Sequence, residues 1–190
     1  RVPFDVLLST VPLPVLVGLL EPLPEQVRKA VSRLRSTHLY YLDVALEREP
    51  GQDFHWAYVP EEKYPFYRVG CYSHFSRALV PAGKGSLYVE LAGRKPPDLD
   101  QLLPEVVRGL IEMGVIASGS EIAFARLRCI DYAYVIFDHH YYEAVSEVRA
   151  FLEQQRIVSA GRYGGWNYSS MEDALLFGRD GAERARELCS

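Results

Sequence analysis

The chain has 190 residues, enough for one sizeable domain or for one domain and part of a second. Its 48% hydrophobic and 24% charged residues are ordinary for a folded protein, and a formal net charge of −4 with scattered Lys and Arg argues against a nucleic-acid partner. Three cysteines, Cys71, Cys129 and Cys189, stand too far apart for a disulfide framework or a zinc spacing, so a reducing cytoplasm is the expected setting. Thirteen tyrosines point to a pocket or interface where an apolar ring with a polar tip is useful.

Residues 4–10 are a short apolar run between Pro3 and Pro12, the pattern of a buried strand, and the chain then enters a short helix ending near Leu20. Asp5, Pro12 and Pro14 break the longer apolar run from Phe4 to Leu20, so it is too short and too broken to span a bilayer and is not a signal segment. Residues 24–35 place Val27, Ala30, Val31 and Leu34 on one face and Glu25, Arg28, Lys29 and Arg33 around the rest, which predicts an amphipathic helix with proline in its first turn. Residues 38–48 alternate, with Tyr40, Leu42, Val44 and Leu46 on one side, and predict a strand. After the turn Pro50-Gly51-Gln52-Asp53, residues 54–59 form a second strand with Phe54, Trp56 and Tyr58 to one side. Residues 66–72 form a third, and hairpins of an antiparallel sheet explain the spacing.

Gly83-Lys84-Gly85-Ser86 lacks the four-residue spacer of a phosphate loop, and no Gly-x-Gly-x-x-Gly fingerprint occurs anywhere. Residues 86–91 read as a strand with Leu87, Val89 and Leu91 inward. Asp98 caps a helix to about Met113 whose stripe is Leu99, Leu102, Leu103, Val106, Val107, Leu110 and Ile111, with Gly114 as its stop. Residues 121–128 and 130–137 are two strands, or one long strand bent near Cys129, with Ile130, Tyr132, Tyr134 and Ile136 on one face. Asp138-His139-His140 has no matching ligand cluster elsewhere, so Asp138 reads as a helix cap and the histidines as first-turn residues. That helix runs to about Gln155 and buries Val145, Val148, Phe151, Leu152 and either Tyr141 or Tyr142.

Residues 156–160 read as a short strand, followed by Gly161-Arg162-Tyr163-Gly164-Gly165-Trp166-Asn167-Tyr168, a glycine turn with a cation and aromatics expected to be exposed. Ser169 and Glu172 stand at capping-box spacing, so a helix begins near Ser170, with Met171, Ala174, Leu175, Gly178, Ala182, Ala185 and Cys189 along its packed face. Strand, glycine turn and helix N-terminus together offer N–H groups and a positive dipole end to an electron-rich ligand. A glycine turn that only leads into an amphipathic helix fits the spacing equally well.

Gly161-Arg162-Tyr163-Gly164, then Trp166, Tyr168 and Met171-Glu172-Asp173, followed by Gly178, resembles the C-terminal flavin-contacting segment of FAD-dependent oxidoreductases of the amine oxidase and protoporphyrinogen oxidase type. It also resembles UDP-galactopyranose mutase, of the same wider superfamily. Residues 4–20 resemble the last part of a flavin-binding domain, and residues 66–75, with Arg68, the aromatic-x-Arg strand of the substrate domain. By residue type alone Arg68 is a solvated sheet residue. Tyr132-Ala133-Tyr134-Val135-Ile136 resembles the family's Tyr-x-Tyr-Pro-Ile strand, with Val135 in place of Pro.

The resemblance implies an α+β fold, a mainly antiparallel sheet with packed helices flanked by remnants of a Rossmann-like FAD-binding domain. Residues 1–35 would be that remnant, 36–155 the substrate-binding domain, and 156–190 the return strand, glycine turn and flavin-contacting helix. Cofactor contacts would come from Gly161, Arg162, Gly164, Trp166, Tyr168, Ser170 and Met171, and substrate contacts from Arg68, Tyr132, Tyr134, Arg162 and Tyr168. Gly161, Gly164 and Gly165 would let the backbone approach the flavin ring, while Trp166 and Tyr168 wall the pocket. In the mutase-like variant Arg162 and Tyr168 match the pair that holds the substrate's diphosphate, and Ser170 stands where that family has Asp. Starting at Arg1 without the dinucleotide fingerprint, the chain is expected to be a C-terminal piece whose partners are a small-molecule substrate and an N-terminal FAD-binding half. FAD would belong to the full-length parent and not be retained by this piece, which alone would be inactive. No catalytic side chain and no metal ligand is named. The alternative is a non-enzymatic α+β module that binds an apolar or aromatic ligand, or a homo-oligomer joined through its tyrosine-rich face.

Overall fold

The computed structural model describes residues 2–91, 93 and 95–189. Arg1 and Ser190, the outer bounds of the expected first and last segments, lie outside the described residues, as do Ala92 and Arg94. In chain order the elements are β1 (Leu7–Ser9), α1 (Leu13–Gly18), α2 (Glu25–Arg33), β2 (Ser36–Leu46), β3 (Trp56–Tyr58), β4 (Phe66–Cys71), α3 (Tyr72–Phe75) and β5 (Gly85–Leu91). They continue with α4 (Leu99–Glu112), β6 (Ile122–Val135), α5 (Tyr141–Gln154), β7 (Ile157–Ser159), α6 (Gly161–Gly164) and α7 (Met171–Cys189). The class is α+β. Among the described residues no helix is long and apolar enough to cross a membrane. The chain divides into two compact units, Arg1–Thr37 with Tyr132–Ser190, and His38–Asp131.

In the first unit β1 and β7 pair in parallel, Leu7 opposite Ile157 and Ser9 opposite Ser159. α5 packs against α2 and β7. It buries Tyr141, Ala144, Val145, Val148 and Leu152 in a core shared with Leu13, Leu16, Val27, Ala30 and Ile157. The unit boundary falls near residue 131. Tyr141 is the buried member of its pair and Tyr142 is exposed. The Asp138 carboxylate accepts from His140 N–H at 3.0 Å, but the helix begins only at Tyr141, so the two histidines occupy the preceding turn rather than the first helical turn.

α7 packs on β1, β7 and α6. Its closest approach is at Gly181, where an added Cβ would stand 2.9 Å from Ala160 Cβ and 3.2 Å from Leu8 Cδ1. Phe177, Gly181 and Ala185 form the face turned inward. This differs from the expected stripe: Met171 is 89% and Leu175 77% exposed, and Gly178 has open space beside it. The helix carries apolar residues on two stripes, and the tight passage over β1 and β7 selects the one with a glycine at the crossing.

The second unit contains the sheet ordered β3-β4-β5-β2-β6. The β3–β4, β4–β5 and β5–β2 pairings are antiparallel. The expected hairpin is present between β3 and β4, while β2 pairs with β5 and not with β3. β2 pairs with β5, Leu42 opposite Val89 and Val44 opposite Leu87, because both strands carry an alternating apolar face that becomes buried. β3 stays short at the sheet edge, with Trp56 and Tyr58 exposed. β6 is one continuous strand. α4 covers the sheet with Val106 and Leu110, capped by Asp98, whose carboxylate accepts from Asp100 N–H at 3.0 Å. Burying each of Leu42, Val44, Leu87, Val89 and Leu110 contributes about 1.5–3 kcal/mol.

Candidate functional site

The glycine segment after β7 folds into the single turn α6, entered through Gly161 at φ 80° and left through Trp166 at φ 50°. The carbonyls of Gly161, Arg162 and Tyr163 accept backbone N–H groups of the turn itself, while the next three find side-chain donors. Ser159 Oγ donates to Gly164 O at 2.9 Å, Arg149 Nη2 to Gly165 O at 2.9 Å, and Tyr141 Oη to Trp166 O at 2.7 Å. Gly164 and Gly165 are required by the chain itself. A Cβ on Gly164 would lie 2.9 Å from Ser9 O, and one on Gly165 2.5 Å from Gly161 O. Trp166, expected to wall a pocket, is 1% exposed and packs in the core, edge-on to Tyr132 with ring centres 5.7 Å apart. Its indole N–H is buried without a hydrogen-bond partner among the described residues.

Beyond this buried turn three expected site residues come together. The Arg162 guanidinium donates through Nη1 to Ser169 O at 2.9 Å and through Nη2 to Ala133 O at 3.0 Å. It lies over the rings of Tyr168, 4.8 Å away, and Tyr134, 5.6 Å away, and those rings stack with centres 6.0 Å apart. Two carbonyls thus aim the cation without cancelling its charge, and among the described residues no carboxylate forms an ion pair with it. Tyr168 is 62% exposed.

α7 begins one residue later than expected. The capping pair is Ser170 and Asp173, not Ser169 and Glu172: Asp173 Oδ2 accepts from Ser170 N–H at 2.8 Å and from its hydroxyl at 2.9 Å, and Ser170 Oγ accepts from Asp173 N–H at 3.1 Å. The Ser170 donors hold the Asp173 carboxyl below its ordinary range. This carboxylate already offsets part of the positive helix end, so the uncompensated positive charge here is that of Arg162. The cap does not use the N–H groups of Met171 and Glu172. A cleft of about 320 Å³ beside the turn is lined by charges that are already engaged, Arg149 with the Gly165 carbonyl and Arg184 with both oxygens of Glu153.

Arg68 belongs to the second unit. It stands opposite Glu90 across β4 and β5 and forms an ion pair with it. Arg68 also donates to Tyr58 Oη at 3.4 Å and lies over that ring. Glu90 is 5% exposed, and its buried Oε2 has no hydrogen-bond partner among the described residues. Leu39, Tyr41, Tyr72, Tyr88 and Ile130 complete a shallow groove of about 250 Å³ around the pair. Burial, and then Asp43, push the Tyr72 phenol up to about 12. The Tyr88 ring occupies the space a side chain at Gly70 would need, with the missing Cβ 2.0 Å from the ring. Glu90 and Tyr88 were not expected, and the available signal was the glycine inside β4, which marks a close approach.

No family model matches the chain. Solved structures do. A reduced UDP-galactopyranose mutase superposes with a TM-score of 0.81 at 21% identity, over 98% of this chain and 42% of that one. A putrescine oxidase double mutant redesigned in its cofactor binding gives 0.62 at 11% identity, over 94% of this chain and 42% of that one. A CLA-producing fatty acid isomerase from P. acnes gives 0.62 at 15% identity, over 95% and 41%. The chain spans about two fifths of the length of each. Over nearly all of its own length, then, this chain has the α+β fold found in UDP-galactopyranose mutase and putrescine oxidase, the fold that its glycine segment and tyrosine strand implied.

Proposed function

We propose that the chain is the substrate-binding and flavin-closing part of an FAD-dependent oxidoreductase-like enzyme, in which Arg162, Tyr134 and Tyr168 receive an anionic group. The observation that carries this reading is the Arg162 cation, fixed by two carbonyls, laid over two tyrosine rings and left without a carboxylate partner among the described residues. A guanidinium held this way presents fork-shaped donors suited to phosphate oxygens. The exposed rim of Tyr168, Ser170 and Met171, with the uncapped N–H groups of α7, suits FAD. Gly164 and Trp166 are occupied by the chain's own packing and would act only through the turn they shape. FAD, when bound, supplies the electron chemistry. The residues of this chain orient the reactants: Arg162 by charge, and Tyr134 and Tyr168 by stacking and by excluding water from one side.

The partner in this reading is an N-terminal FAD-binding half. Parallel strands are normally covered on both faces, yet Leu8 of β1 is 42% exposed and Met171 and Leu175 of α7 stand open. The three unpaired thiols are compatible with a reducing cytoplasm. A mutase-like enzyme acting on a nucleotide sugar is the second reading, favoured by the TM-score of 0.81 against 0.62 for the oxidase and the isomerase.

The test is the visible absorption spectrum of the protein purified in full from its own gene, beside that of these 190 residues alone. A flavin spectrum in the first and none in the second is expected. A colourless full protein that takes up no added FAD overturns the reading.

A further inference from the structure

A cluster of side chains in the second unit, unconnected with the flavin reading, has the composition of a metal centre. His38 lies on β2, while Cys129 and Asp131, two residues apart on the neighbouring β6, project from the same side of that strand. His38 Nδ1 stands 3.6 Å from Asp131 Oδ1, Cys129 Sγ stands 3.5 Å from the same oxygen, and the three donor atoms all lie within 4.8 Å of one another. A tetrahedral zinc ion, with bonds of about 2.3 Å to sulfur and about 2.0–2.1 Å to nitrogen and oxygen, sets its donors roughly 3.4–3.6 Å apart. Two of the three separations already match that span, and a small side-chain rotation closes the third.

The ligand chemistry agrees with the spacing. A thiolate and a carboxylate cancel the charge of a divalent ion, and a neutral imidazole completes a set typical of zinc rather than of calcium or magnesium. Tyr40, itself buried, stacks on the His38 ring and restrains that ligand. We propose that His38, Cys129 and Asp131 bind a divalent cation of the zinc class, with a fourth position open to water, and that the ion staples β2 to β6. Binding replaces the thiol proton by the metal and releases that proton to solvent.

The experiment is a titration of the reduced whole protein with Co²⁺ as a spectroscopic probe, followed by displacement with Zn²⁺. A thiolate-to-cobalt charge-transfer band that one equivalent of Zn²⁺ abolishes is expected. Cys129→Ser should lose the band, Cys189→Ser should keep it, and His38→Ala should weaken Zn²⁺ binding by about tenfold or more. The unmodified protein gives a second readout, since bound Zn²⁺ should slow alkylation of Cys129 and leave that of Cys189 unchanged. Absence of the band, its persistence in Cys129→Ser, unchanged Zn²⁺ affinity in His38→Ala, or equal alkylation with and without Zn²⁺ overturns the proposal.

Discussion

Arg162 in the first unit donates to two backbone carbonyls and lies over Tyr134 and Tyr168, whereas Arg68 in the second is paired with the buried Glu90 beside Tyr58 and Tyr88. Both are arginines among tyrosines, yet their electrostatics differ. A carbonyl acceptor orients a guanidinium and leaves its full charge available, while a buried carboxylate removes most of that charge and ties the arginine's loss to the cost of an orphaned anion. Arg162 should therefore be expendable for folding and essential for an anionic ligand. For Arg68 the reverse holds.

The comparison can be broken first through the frame that holds Arg162. Trp166→Ala should cost about 3–5 kcal/mol in denaturant unfolding, as for other buried aromatic truncations. Trp166→Phe should cost much less, because it also removes the unpartnered indole donor. Next, Arg68→Ala should cost up to about 3 kcal/mol, the low end for breaking a buried pair because the arginine is partly open to water. Arg68→Ala combined with Glu90→Leu should recover most of that loss. An Arg68→Ala protein as stable as the parent would erase the contrast. Arg162→Ala should lose only about 1 kcal/mol of stability, the scale of a few net hydrogen bonds. Its affinity for a nucleoside diphosphate, measured by calorimetry on the full protein, should fall about tenfold or more, and Arg162→Lys should restore only part. Undiminished affinity would remove Arg162 from the site.

The smallest effect is alkaline. Burial, and then Asp43, raise the Tyr72 phenol from 10.0 to about 12. With its folded value raised, Tyr72 contributes stability that is fully present below pH 10 and is lost as pH rises through about 12. Tyr72→Phe should flatten the fall of the denaturation midpoint across that window. Superimposable curves for the two proteins would show that the phenol is not what the alkaline limb reports.

Alternation made the sheet legible. Tyr40, Leu42, Val44 and Leu46 form its buried side, and Leu87, Val89 and Leu91 face inward as expected. The pairing of β2 with β5 was not legible, because strand order depends on which apolar faces meet after the chain has turned several times. At the cap, Ser169 with Glu172 and Ser170 with Asp173 have identical spacing, and the pair that forms is Ser170 with Asp173. On α7 the sequence shows two apolar stripes and cannot say which is covered. Trp166 was misplaced because its left-handed backbone turns the ring inward, a conformation no local pattern announces. In the site, Arg162, Tyr134 and Tyr168 were named from resemblance and do meet in space. Glu90 was missed because only the register of β4 against β5 sets it opposite Arg68.

The parallel pairing of β1 with β7 also has a consequence for biosynthesis. Among the described residues these are the first and last strands, and His38–Asp131 lies between them. At roughly 5–20 residues per second, a nascent chain exposes β1 for on the order of ten seconds before β7 has been made. Over that interval the inner unit can fold on contacts of its own as its strands are completed, while β1 still waits for β7. Translation thus imposes a vectorial order, inner unit first and outer closure last, and a ribosome that stalls anywhere before residue 157 releases a chain in which β1 lacks its β7 partner.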